Sequence, residues 1–205
     1  MHMEPIKTVT RPAHFEKGAF VEGQTLKIYI DPDPVNPRTE FDNFGHMVCF
    51  HRRYDLGDPD HGISSKDFDS WDELEEYLIQ EKGAVLILPL YLYDHSGITI
   101  RTYSFNDHWD SGMVGFIYAT NDDILKNWMV KEVTQDLKDQ ALRLMQGEVK
   151  EYDDYLTGNV YGYELEDENG EFVDSCWGFF GDNAEDYIRS DVHMQEKDTQ
   201  TQVAA

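Results

Sequence analysis

The chain has 205 residues, 41 of them acidic and 17 basic, which leaves a formal net charge of −24 at pH 7. That length holds one sizeable core and would cramp two full domains, and a charge of this sign argues against direct binding to a nucleic-acid backbone or an anionic membrane. The longest apolar run, AVLILPLYLY at 84–93, is strand-sized and contains a proline, so no membrane span is expected.

In chain order, residues 1–40 read as an extended N-terminal arm. Its prolines forbid a regular helix, and only TLKIYI at 25–30 suggests a strand. HMVCFHRRY (46–54) alternates like a strand and is followed by a polar loop, 55–70. Ser70 precedes Glu73 by three, the spacing of a capping box, so a helix is predicted over 71–82 with Gly83 as its stop. Three strands follow, at 84–93, 97–105 and 112–120, joined by the turn-rich strings DHSG and NDHWDSG. Thr120 or Asn121 caps a short helix. Thr134 opens a longer one, 134–150, with Leu137, Ala141, Leu144 and Met145 as its apolar stripe. Residues 159–182 form a hairpin with ENGE at the tip, a short helix runs over 183–188, and 191–205 is a polar tail expected to be disordered. The fold predicted from these elements is α+β: one domain over 41–190, mainly an antiparallel sheet of five or six strands packed with two or three helices.

The two turns concentrate reactive side chains: Asp94, His95 and Ser96, then Asp107, His108, Asp110 and Ser111. Adjacent turn residues diverge, whereas a nucleophile, base and orienter must converge. Asp94, Ser96, Asp110 and Ser111 are therefore expected to bond to loop N–H groups. A metal site would recruit His46 and His51 with Asp94, His95, Asp107, His108 and Asp110, but no ligand-spaced motif supports it. Arg52 and Arg53 form the one basic island, suited to a phosphate or to the chain's own aspartates. Cys49 reads as a core residue, and Cys176 lies beside Asp174 among aromatics that raise a thiol pKa. With no leader sequence read at the N-terminus, both cysteines are expected as reduced thiols of a cytoplasmic protein.

Between Glu148 and Asp186 stand thirteen carboxylates and a single base, Lys150. From this run Glu151, Asp153, Asp154, Glu164, Glu166, Asp167, Glu168 and Glu171 are expected to form an acidic partner-binding surface. The strings MVCFHRRYDLGD (47–58), ILPLYLYDHSGITI (87–100), WDSGMVGFIY (109–118) and YLTGNVYGYELEDENGEFVDSCWGFFGD (155–182) together resemble a family of small acidic proteins of bacteriophages and other mobile elements. That resemblance implies a genomic setting and carries over no catalytic residue. The expected function is an accessory protein that inhibits a basic host protein, a defence nuclease or another DNA-binding protein, through an acidic, DNA-mimicking surface, without a cofactor. The alternatives are a metal-dependent or nucleotide-processing enzyme built on the two turns, with Arg52, Arg53, Asp94, His95, His108 and Asp110 as ligand contacts, or a module that sequesters a nucleotide.

Overall fold

A computed structural model describes residues 3–10, 23–106 and 109–192. It is α+β with two four-stranded antiparallel sheets. The chain divides into two compact units, one of Asn36–Thr157 and one of Met1–Val35 with Gly158–Ala205, where the sequence suggested an arm followed by one domain. The expected tail lies outside the described residues beyond 192.

After β1 (Lys7–Thr10) and β2 (Thr25–Ile30), the 36–157 unit holds β3 (His46–Cys49), β4 (Ala84–Asp94), β5 (Ile98–Arg101) and β6 (Ser111–Thr120), in the sheet order β3-β6-β4-β5. The helices are α1 (Pro37–Glu40), α2 (Trp71–Gln80), α3 (Asn121–Trp128) and α4 (Gln135–Thr157). One sheet face packs Met47, Leu90, Leu92, Ile100 and Ile117 against Ala141, Met145, Val149 and Tyr152 of α4. The other packs Val48, Phe116 and Tyr118 against Leu74 and Leu78 of α2. Alternation along β6 assigns Phe116 and Tyr118 to one face and Ile117 and Ala119 to the other. A register shift near Gly115 then sends Val114 to the α4 side.

Local signals set the helix starts. The Ser70 hydroxyl accepts the Glu73 N–H at 3.2 Å, and the Glu73 carboxylate accepts the Asp69 N–H at 2.7 Å. A full capping box of Thr120 and Asp123 opens α3. α4 runs seven residues beyond the predicted end at 150, carrying Glu151, Asp153 and Asp154 into helix.

Carboxylates close both edges of this sheet. Asp153 of α4 accepts the Ile100 N–H of edge strand β5 at 2.8 Å. At the β3 edge Asp58 accepts the Met47 N–H at 2.8 Å through its side chain and donates its own N–H to the Met47 carbonyl at 2.9 Å. Asp58 is in turn held by the buried Arg38, whose Nε and Nη2 donate to it at 2.8 and 2.6 Å. Arg38 also reaches Glu148 at 3.2 Å and the Gly45 carbonyl at 2.7 Å.

The other unit contains β1 (Lys7–Thr10), β2 (Thr25–Ile30), β7 (Val160–Glu166) and β8 (Phe172–Phe180) in that order, all antiparallel. The sequence that suggested an arm thus supplies two strands, with β2 running from Thr25 opposite Glu166 to Ile30 opposite Tyr161. Residues 184–192 are helical (α5), and Ile188 and Val192 pack on Leu26, Ile28, Tyr163 and Leu165. Gly162 is dictated by packing: a Cβ there would meet the Trp177 ring at 2.2 Å.

Candidate functional site

Asp94, at the end of β4, and Asp110, just before β6, are brought together by their strands: the Asp94 N–H donates to the Asp110 carbonyl at 2.8 Å. The Asp94 carboxylate receives the Arg53 guanidinium and, at 3.3 Å, the Tyr54 hydroxyl. The Asp110 carboxylate lies 2.9 Å from Nδ1 of His95. Arg53, Tyr54, Asp94, His95 and Asp110 therefore form one cluster. It differs from the expected pattern: among the described residues both carboxylates bond to side chains, Asp94 to Arg53 and Tyr54 and Asp110 to His95. Its evident work is to tie the β4–β5 turn to the start of β6 and to the 51–54 segment. Ser96 sits in the left-handed region at φ 57°. Asp107 and His108 lie outside the described residues.

The set named for a metal is divided. His46 Nε2 faces Asp123 at 3.2 Å, and its ring lies against Tyr118. The His51 ring stacks on Tyr54 with centroids 4.9 Å apart. Among the described residues no three His, Cys, Asp or Glu side chains come together as a metal-binding group.

Neither thiol is primed for nucleophilic attack. Burial, followed by the neighbouring Asp58, pushes Cys49 up to about 12, and burial with Asp191 and Asp174 raises Cys176.

The predicted acidic surface is partly consumed by the fold. Asp153 accepts the Thr99 hydroxyl at 2.5 Å as well as the Ile100 N–H, and the buried Asp154 pairs with Lys150 one turn earlier. Glu151 is half-buried, and its pKa is raised by desolvation and by the charges of Glu148 and Asp154. Glu164 accepts the Tyr29 hydroxyl at 3.0 Å, and Glu166 pairs with Lys27 at 2.5 Å. Asp167 shapes the hairpin tip by accepting the N–H groups of Asn169 and Glu171 at 2.8 and 2.9 Å, which holds its carboxyl below the usual range. Glu168 and Glu171 are exposed at that tip.

A second acidic surface, absent from the residues singled out in the sequence, covers α2. Leu74 and Leu78 face the sheet, which turns Asp72 and Glu76 outward beside Ile79, itself 45% exposed, and leaves Glu75 half-buried on the flank. Asp67, Asp69 and Glu81 extend the charge at either end and are exposed. Among the described residues none of these carboxylates enters an ion pair. The spacing of 72, 75, 76 and 79 was a readable signal: one helical stripe made of three acids and one isoleucine.

Arg52 points into a different environment from Arg53. It lines a pocket of about 760 Å³ together with His51, Tyr54, Asp55 and His61.

No family model matches the chain, and no curated protein or solved structure matches it.

Proposed function

We propose that the protein is a phage or mobile-element accessory protein that inhibits a host defence or nucleic-acid-binding protein by laying an acidic surface into that partner's basic groove. The observation that carries this reading is the outer face of α2, where carboxylates outside every ion pair among the described residues stand around an exposed Ile79. Three acids, Asp72, Glu75 and Glu76, share the helical stripe of Ile79, with Asp69 and Glu81 just beyond the helix ends. Such a row steers a basic partner from a distance. Ile79 supplies what a purely solubilising surface lacks, an apolar contact whose remaining exposure contributes about 1 kcal/mol when a partner covers it. On the other unit, Glu168 and Glu171 at the hairpin tip offer a smaller acidic surface of the same kind.

The test is capture of host proteins from a bacterial lysate on immobilised protein, comparing wild type with Ile79→Ser. A specific partner is retained by wild type and lost with Ile79→Ser, although the two have the same charge. Capture that is identical for both is nonspecific attraction to an acidic surface and overturns the reading.

A further inference from the structure

The pocket lined by His51, Arg52 and His61 plays no part in the acidic surface, and it presents a guanidinium beside two imidazole rings. Nδ1 of His51 accepts the Arg53 N–H at 3.3 Å, and Nδ1 of His61 accepts the Ile63 N–H at 3.1 Å. A ring nitrogen that accepts carries no proton, so the geometry assigns the proton of each neutral ring to Nε2. Burial lowers both pKa values, assisted by Arg53 and Arg52 at His51; at His61 Lys82 adds to the lowering and Asp58 opposes it. At neutral pH each ring therefore offers one N–H donor and no lone pair, which suits an anion and not a metal ion.

Arg52 adds the charge. It is exposed and enters no ion pair with a described residue, whereas Arg53 is engaged by Asp94 and Arg38 by Asp58 and Glu148. Two carboxylates also line the pocket. Asp58 is already met by Arg38, which leaves Asp55, exposed and outside every ion pair among the described residues. Asp55 would repel a bare phosphate, but it can accept from a hydroxyl or an amino group. The volume is within the roughly 300–1,000 Å³ usual for small-molecule sites, and the stacked rings of His51 and Tyr54 add an aromatic wall.

We propose that this pocket binds a nucleoside monophosphate, its phosphate held by Arg52 and the Nε2–H groups of His51 and His61, with a sugar hydroxyl or base amino group donating to Asp55. The single available guanidinium and the net charge of −24 favour a monophosphate over more highly charged nucleotides. The proposal does not depend on the acidic-surface reading.

Calorimetric titration of the full chain with AMP, GMP, CMP and UMP, with inorganic phosphate and adenosine as comparisons and a chelator present, tests it. At least one monophosphate is expected to saturate a single site and to bind at least about tenfold more tightly than inorganic phosphate or adenosine. Arg52→Ala weakens that binding by about tenfold or more, the loss of a charge-assisted contact, and leaves the ligand-free melting temperature unchanged. Asp55→Asn weakens the nucleotide and strengthens inorganic phosphate. Because the donors are neutral rings and a guanidinium, affinity stays within about threefold between pH 7 and 9. No binding by any monophosphate, binding indifferent to Arg52→Ala, or inorganic phosphate binding as tightly as the nucleotide overturns the assignment.

Discussion

The Asp153 carboxylate accepts both the Thr99 hydroxyl, at 2.5 Å, and the Ile100 N–H, at 2.8 Å, and so joins α4 to the edge strand β5. This carboxylate stands in for the neighbouring strand that β5 lacks on that side, satisfying a donor the sheet leaves open. Asp153→Ala is expected to lower unfolding free energy by about 1–3 kcal/mol, the cost of stranding a partly buried donor. Urea titration measures it, and a midpoint equal to wild type would show that water replaces the carboxylate without loss.

Arg38 has 1% side-chain exposure and faces Asp58 and Glu148. Arg38→Ala leaves both acids without their counter-charge, and the expected loss is about 3–5 kcal/mol. Asp58→Asn in that background should cost much less than it does alone, because the two groups act as one network. Strict additivity in a double-mutant cycle would contradict the network.

Gly162→Ala places a methyl group where the Trp177 ring lies, 2.2 Å from the new Cβ. The ring must move, and a loss of roughly 1–3 kcal/mol is expected from the overpacking. Trp177 fluorescence should change together with the melting temperature. A shift in stability with unaltered emission would place the strain elsewhere.

Three acidic groups have their pKa raised to about 12: Cys49 from 9.0, and Tyr29 and Tyr152 from 10.0, burial being the first cause in each. The folded state holds these protons longer than the unfolded chain does. Their contribution to stability is therefore fully present below about pH 9 and is lost as pH rises from about 9 towards 12. Cys49→Ala should flatten the first part of that decline, between about pH 9 and 10, where the tyrosines of the unfolded chain are still protonated. Denaturant midpoints collected across pH 8–11 check the slope, and a curve unchanged by Cys49→Ala would remove the thiol from the account.

What could be read from the sequence was local. Ser70 and Glu73 announced α2, and DHSG and ENGE announced hairpins whose partners are neighbours in the chain. TLKIYI reads as a strand and is one, at the same bounds, but its pairing with β7 joins Thr25 to Glu166 across most of the chain, and no short-range pattern encodes that partner. The candidate site divides in the same way. The aspartates of the two turns were visible, but Arg53 reaches Asp94 from 41 residues away, and nothing in the spacing chooses between that pairing and a backbone bond. Counting acids drew attention to 148–186, yet a count cannot tell a carboxylate facing water from one facing Ile100 N–H or Lys27. The stripe on α2 holds fewer acids in a shorter run, so a count does not single it out.

In the proposed function a particular acidic face, and not net charge, binds the partner. The most direct measurement is the association rate of the captured host protein with three forms of the chain at roughly 50 and 300 mM salt, a range over which the Debye length contracts from roughly 14 to 6 Å. The forms are wild type, Asp72→Asn/Glu75→Gln/Glu76→Gln on α2, and a control with the same charge removed, Glu132→Gln just before α4 with Asp136→Asn/Asp139→Asn in its first turns. Wild type and control are expected to associate rapidly at low salt and to slow steeply at high salt, with the α2 variant slower by about tenfold or more at low salt and nearly indifferent to salt. Equal slowing of both variants would mean that only total charge matters, and it would contradict the account.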